Sequence, residues 1–586
     1  MKVSRGLRPH KNATPLLLAC TVLAAGCAPA PREEAPTDAA AADVMALPEG
    51  ASSAAQAIDP AALRAAVGFL ADDLLEGRGP STRGDALTQL YLARTMELLG
   101  LQPGGPGGSW LQPFDIVSVE AEVPERWTFL GPRSGLNLDF WDDFIAASGV
   151  QDSQAVISAA EVVFVGYGIQ APEYQWDDFK GADLSGKVLL MLNNDPDWDP
   201  DLFEGERRLY YGRWDYKYES AARQGATGAI IIHTTPSAGY PYNVVQTGWT
   251  GPQFELPAGD EPRTQVHAWV SEEAARRLVE LTGHDLDELI ESAHSRDFMP
   301  VPLDITTSLK LENTVTVSQT ANVAGLVPGS DPQLADEVVV FSAHHDHFGH
   351  NEPDPDGDDI YNGALDNASG CAEVLSIAKA ATHLPEPPRR SLLFLFVAGE
   401  EQGLLGSQYY AEHPTFPAGR IAANINLDGA NIWGRTRDLT YIGYGKSSLD
   451  ALVDAAAAAQ GRTVEPDQFP DRGSFYRSDQ FNFAKIGVPA FYPDSGTDFI
   501  DRPDGWGRQQ LEAWEEEHYH QPSDELTDEW NFEGMVEDTR LAFEVGLAVA
   551  EADEMPTWNE GDEFADERAA ALAQVARDDE PVTPTP

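Results

Sequence analysis

Glu337-Val338-Val339-Val340-Phe341 is a short apolar run that leads, one serine later, into Ala343-His344-His345-Asp346-His347. Two further runs repeat the arrangement. Leu392-Leu393-Phe394-Leu395-Phe396-Val397 leads into Gly399-Glu400-Glu401-Gln402-Gly403, and Ile421-Ala422-Ala423-Asn424-Ile425-Asn426-Leu427 into Asp428-Gly429. Each run has the length of a strand and lacks polar alternation, the pattern of a strand buried on both faces. Helical patterns separate them, for example residues 369–381. Strands alternating with helices predict an α/β fold with a doubly wound, mostly parallel sheet. In such sheets ligands bind outside the carboxyl ends of the strands, where these polar residues fall.

The residue types fit that placement. His344 followed two positions on by Asp346 pairs a ligating imidazole with a carboxylate that can accept its other ring N–H and fix its tautomer. Asp366, in Gly363-Ala364-Leu365-Asp366-Asn367-Ala368-Ser369-Gly370, would project from a turn opening a helix, where a carboxylate can bridge two cations. Glu400 and Glu401 point opposite ways in extended backbone, so one can ligate while its neighbour faces a water. Asp428 ends the third strand, and His518-Tyr519-His520-Gln521-Pro522-Ser523-Asp524 forms a polar loop. One such motif carries little weight; five in order, at strand ends, are specific. Nitrogen and oxygen donors without cysteine suit zinc in a catalytic site.

Upstream, residues 61–76 and 85–99 are predicted helices, the second closing at Gly100. Residues 150–305 form a different block, with strands at 162–168, 187–191 and 228–232 and a helix at 216–224. It folds as a separate domain or extends the main sheet. A basic stretch holding Lys2, Arg5, Arg8 and Lys11, then Leu16 to Leu23, reads as an export leader too short to span a bilayer. Leu23-Ala24-Ala25-Gly26-Cys27 resembles a bacterial lipobox, which implies cleavage after residue 26 and lipidation of Cys27; ordinary secretion is the alternative. Of three cysteines only Cys371 would then stay in the fold, so no internal disulfide is expected. Residues 27–57 read as a flexible tether, and the chain from about Ala565 as a tail without fixed structure. With 95 acidic against 39 basic residues and a net charge of −56, nucleic acid and anionic lipid are excluded as partners of the protein surface. Any membrane association would run through the anchor at Cys27.

Taken together, the five motifs resemble the co-catalytic di-zinc aminopeptidases, a family that includes glutamate carboxypeptidase and glutaminyl cyclases. The block at 150–305 resembles their protease-associated insertion. The resemblance divides the chain into a leader (1–26), tether (27–57), two peptidase parts (58–149 and 306–555) around the insertion, and a tail (556–586). It implies two zinc ions, one on His344 and Asp428, the other on Glu401 and His520, bridged by Asp366. Asp346 would orient His344, and Glu400 would be the general base for a water between the ions. Tyr476 and Arg477, in Tyr476-Arg477-Ser478-Asp479, resemble the substrate-side loop, with Tyr476 as an oxyanion donor. His345 would point away from the metals. The implied activity is removal of N-terminal residues from peptides. Carboxypeptidase or dipeptidase action, glutaminyl cyclisation and an inactive binding protein on the same fold are the alternatives. The Asp354–Asp359 loop reads as a solvated turn rather than a calcium site, and His347 and His350 as supporting or surface residues.

Overall fold

The computed structural model describes residues 45–200, 202–238, 241–351, 353–355 and 357–578. The leader, Cys27 and most of the tether lie outside the described residues.

The three apolar runs are strands: β1 Val338–His344, β2 Ser391–Val397 and β3 Ile421–Asn426, with every residue of each buried. β1 lies between β2 and β3 and runs parallel to both. The chain passes from β1 to one side and then to the other, so the switch in strand order falls at β1 and opens a crevice at its carboxyl end. β4, Ala490–Asp494, adds a fourth parallel strand beside β3. Helices cover both faces. Gly370–Ala381 and Phe532–Glu551 pack one side with Phe341 and Phe394, and Tyr410 and Phe483 pack the other. The sheet is therefore doubly wound and mostly parallel in this half, as expected.

A second core forms around Trp127, Phe129, Phe164 and Ile230. The residues supplying it begin upstream of position 150, because the strands Arg126–Leu130 and Phe144–Ser148 belong to it. At its other end position 305 falls inside one strand, Val301–Val327. That strand pairs first with Gln154–Phe164, then with Leu111–Glu122 and finally with β2. Continuous backbone hydrogen bonding thus joins the two cores, and neither edge of the block falls in a linker.

Ordered structure extends into both segments that the sequence predicts to lack it. Ala51–Ala55 is helical, and Ala54, Ala55 and Ile58 are buried in the first core. Downstream, Trp558 and Phe564 enter the second core, and Ala565–Asp578 is a helix. Composition misled here because the helix is held by partners remote in sequence. Arg568, 2% exposed, donates to the carbonyl of Ile421 at 2.9 Å, and Lys446 pairs with Asp562 at 2.8 Å. Arg568→Ala leaves buried carbonyls without donors and is expected to cost about 1–3 kcal/mol. Urea unfolding with an unchanged m-value checks this; a wild-type midpoint would show the tail helix to be unpacked.

The predicted helix at 61–76 breaks after Leu70. Asp72 caps a turn over Asp73–Arg78, in which Gly77 has φ +65°. A Cβ on Gly77 would sit 2.6 Å from the carbonyl oxygens of Gly349 and Tyr361, so only glycine fits. The turn delivers Arg78 beneath the crevice.

Candidate metal centre

His344 is the last residue of β1 and fully buried. Its Nε2 lies 3.1 Å from Asp366 Oδ1 and 3.1 Å from Asp428 Oδ1, with Glu400 Oε2 at 4.0 Å. Asp366 turns its other oxygen to His520, whose Nε2 is 3.3 Å from Asp366 Oδ2 and 3.3 Å from Glu401 Oε2. The structure therefore gathers all five candidate ligands into two groups that share Asp366. Glu400 stands beside the first group.

The loop around Asp366 is held from several sides. Gly363 has φ +54°, and a Cβ there would lie 2.2 Å from the carbonyl oxygen of Asp366. Asp524 accepts the backbone N–H groups of Leu365 and Asp366 at 2.9 and 3.0 Å. Asn367 donates to Leu427 and accepts from Gly370 and Gly429, tying the loop to the end of β3. Arg78 donates from below to the carbonyls of His345, Asn362 and Gly363. Ser478 donates to Asp428 and accepts from Asn426.

Several expectations need correction. Asp346 does not hold His344 through its carboxylate, which is 3.8 Å from Nδ1 and accepts the N–H of Glu400 instead. The nearer partner of Nδ1 is the backbone carbonyl of Asp346, at 3.3 Å. Tyr476 is not at the site: its ring packs into the second core and its hydroxyl donates to Glu563 at 2.5 Å. The tyrosines lining the cavity are Tyr492 and Tyr519, and Tyr519 stacks on His520 at 3.7 Å. A lone tyrosine gives no signal of direction in sequence, whereas Tyr519 adjoined a candidate ligand. His347 is more than peripheral, since its Nδ1 is 2.5 Å from Glu401 Oε1. His345 points away, to Asp85 at 3.1 Å, as expected. Arg477 lines the cavity, as does Trp514, while Trp506 packs on Phe499. Cys371 is buried and donates to the carbonyl of His344, and burial pushes its thiol up to about 12. Asp354 and Asp358 accept backbone N–H groups within their own turn.

The donor set fits metal. Burial pushes Glu400 and Glu401 well above the usual carboxylate range; His344 opposes this, and neighbouring carboxylates add to it. Burial acts the same way on Asp366, but hydrogen bonds from His344 and His520 overcome it and hold the carboxyl well below. Burial would lower His344, yet Asp428, Glu400 and Asp366 carry it well above an ordinary imidazole. Oxygen and nitrogen donors packed this closely, with excess negative charge out of water, call for cations. His344, Asp366 and Asp428 bring one ligand atom each within 4.8 Å of one another, and so do His347, Asp366 and Glu401.

Above these groups opens a cavity of about 230 Å³, walled by Trp433, Phe469, Trp514 and Tyr519. Residues 322–543 match the model of Peptidase family M28. That segment contains every converging His, Asp and Glu; Arg78 and Asp85 support it from outside. The probable zinc metalloprotease of Pyrenophora tritici-repentis is 38% identical over 112 residues, 19% of this chain and 24% of that one. Leupeptin-inactivating enzyme 1 of Streptomyces exfoliatus is 26% identical over 204 residues, 34% and 42% of the two chains. The chain thus spans about a quarter of the first of these relatives and under half of the second. Among solved structures, the aminopeptidase from Aneurinibacillus sp. strain AM-1 is 20% identical with a TM-score of 0.48, covering 86% of this chain and 96% of that one. Among the described residues no helix is long and apolar enough to cross a membrane.

Proposed function

We propose that the chain is a zinc-dependent exopeptidase that removes N-terminal residues from peptides. The observation that carries this reading is the position of Glu400 beside the first of two donor groups that share Asp366, at the floor of a small cavity. About 230 Å³ suits one terminal residue rather than a long stretch of peptide. His344, Asp428 and Asp366 would hold one zinc, and Glu401, His520 and Asp366 the other. Bound zinc would supply Lewis acidity and make water a nucleophile near neutral pH. The chain's own residues do the rest. Glu400 takes the proton of the attacking water and delivers it to the leaving amine. The Asp346 carbonyl and Asp524 hold His344 and Asp366 in place, and the aromatic walls limit water. The block around the second core is read as the protease-associated insertion; its Tyr210 packs at 4.9 Å on Phe481, in the helix that follows the cavity-lining Arg477 and Ser478. Export as a lipoprotein anchored at Cys27 belongs to the same proposal.

A second reading has one supporting observation: Arg477 lines the cavity, where a guanidinium suits the carboxylate of a peptide C-terminus. The test uses leucine 4-nitroanilide and its N-acetylated twin. Cleavage of the free amine alone, abolished by a chelator and restored by zinc, is the expected result. Cleavage of N-acetylated peptides that stops on C-terminal amidation would replace it with carboxypeptidase action.

A further inference from the structure

Beyond the metal-binding side chains the cavity runs on to a different kind of wall. Strand β4 pairs antiparallel with β5, Asp438–Ile442, placing Tyr492 opposite Ile442 and Asp494 opposite Thr440. Residues two apart on a strand share a face, so Tyr492 and Asp494 look the same way. On the other edge of β5 runs Thr463–Pro466, which ends directly before Asp467. Ile442, Tyr492, Asp494, Asp467, Phe469 and Trp433 all line the cavity. It is an aromatic sleeve with two carboxylates in its wall.

The charges there do not cancel. Arg472 is taken by Glu515 and lies 4.1 Å from the centre of the Phe469 ring, and Arg477 donates to the Tyr519 hydroxyl. Asp494 accepts the N–H of Ser495, and Asp467 that of Phe469, while Arg207 and Arg472 act on Asp467 from a distance. Among the described residues no lysine or arginine forms an ion pair with either. Burial pushes the Asp494 carboxyl up to about 7, with Asp467 adding to the effect, so a cation placed there would be welcomed. Lysine and arginine side chains carry a long apolar stem and a charged head, which matches aromatic walls with an acidic end.

We propose that this end of the cavity is a side-chain pocket for lysine or arginine at the terminus of the peptide, with Asp494 as the ion-pairing group and Asp467 as its second carboxylate. The inference rests on the exopeptidase reading and adds the class of residue removed. Desolvated ion pairing differs from apolar fit in that it vanishes when charge is removed without change of shape.

The test uses the zinc-loaded full chain and the 4-nitroanilides of arginine, citrulline and leucine. Citrulline keeps the shape of arginine without its charge. Arginine is expected to exceed both others in kcat/KM by roughly thirtyfold or more, the scale of one desolvated charge pair. Asp494→Asn should collapse the arginine-to-citrulline ratio, and Asp467→Asn should lower it less. Equal rates for arginine and citrulline in the wild type would overturn the pocket without any variant. So would an Asp494→Asn enzyme slowed equally on all three, which would place Asp494 on the substrate's α-ammonium instead. Cleavage of none of them would bring down the exopeptidase reading itself, and the pocket with it.

Discussion

Glu400→Gln is expected to lower kcat by about 10²–10⁴-fold, the usual worth of a positioned general base, while zinc content and KM stay near wild type. The amide keeps the size of the carboxylate but cannot take a proton from water. Glu400 is 4.0 Å from His344 Nε2, against 3.1 Å for Asp366 and Asp428, so it stands farther from the imidazole than either, although its carboxylate also lies within reach of a cation shared with His344 and Glu401. The measurement is steady-state kinetics on leucine 4-nitroanilide with metal analysis of the same sample. A variant that lost zinc in proportion to activity would make Glu400 a ligand and remove the base from the mechanism.

Asp366→Asn should do more damage by a different route. Asp366 reaches both groups directly, His344 through one oxygen and His520 through the other. An amide offers one oxygen and turns an N–H donor toward the second imidazole, so one group loses an acceptor and gains a clash of donors. If the chain holds two zinc ions as proposed, zinc content is expected to fall to below one per chain, with activity lost. Thermal unfolding provides a separate readout. Ligand bound only by the folded state stabilises by about 2.7 kcal/mol at a hundredfold excess over Kd, so zinc should raise the wild-type Tm. That rise should largely disappear in Asp366→Asn. A variant that kept both ions and the full rise would show that Asp366 does not bridge.

The fold of the peptidase half was legible because its strands are buried on both faces. Such strands write themselves as continuous apolar runs: the ends of β2 and β3 could be read to within a residue, whereas β1 runs three residues past Phe341, to His344. Most of the converging ligands were legible for the same reason: His344, Glu401 and Asp428 end or closely follow a buried strand and Asp366 opens a helix, so position in the motif stands in for position in space, whereas His520 lies in a turn after the helix Trp506–Glu517. Tyr476 shows where this stops. Nothing local distinguishes a tyrosine turned to the cavity from one turned to Glu563, since the choice is made by a residue 87 positions away. The tail failed likewise: the sequence around Arg568 is polar and alanine-rich, and its order comes from carbonyls on β3.

What the sequence by itself determined is the order of strands and helices in the peptidase half and the identity of the groups at the strand ends. Both follow from short-range patterns that burial imposes on neighbouring residues. Only the tertiary structure decided that Asp366 is shared between two histidines and that Asp524 and Arg78 hold its loop. It also decided that one strand joins the two cores and that Asp467 and Asp494 line one cavity, with no lysine or arginine ion-paired to either among the described residues. Those relations join residues far apart in the chain, and the packing of the whole molecule, not any local preference, brings them within a few ångströms.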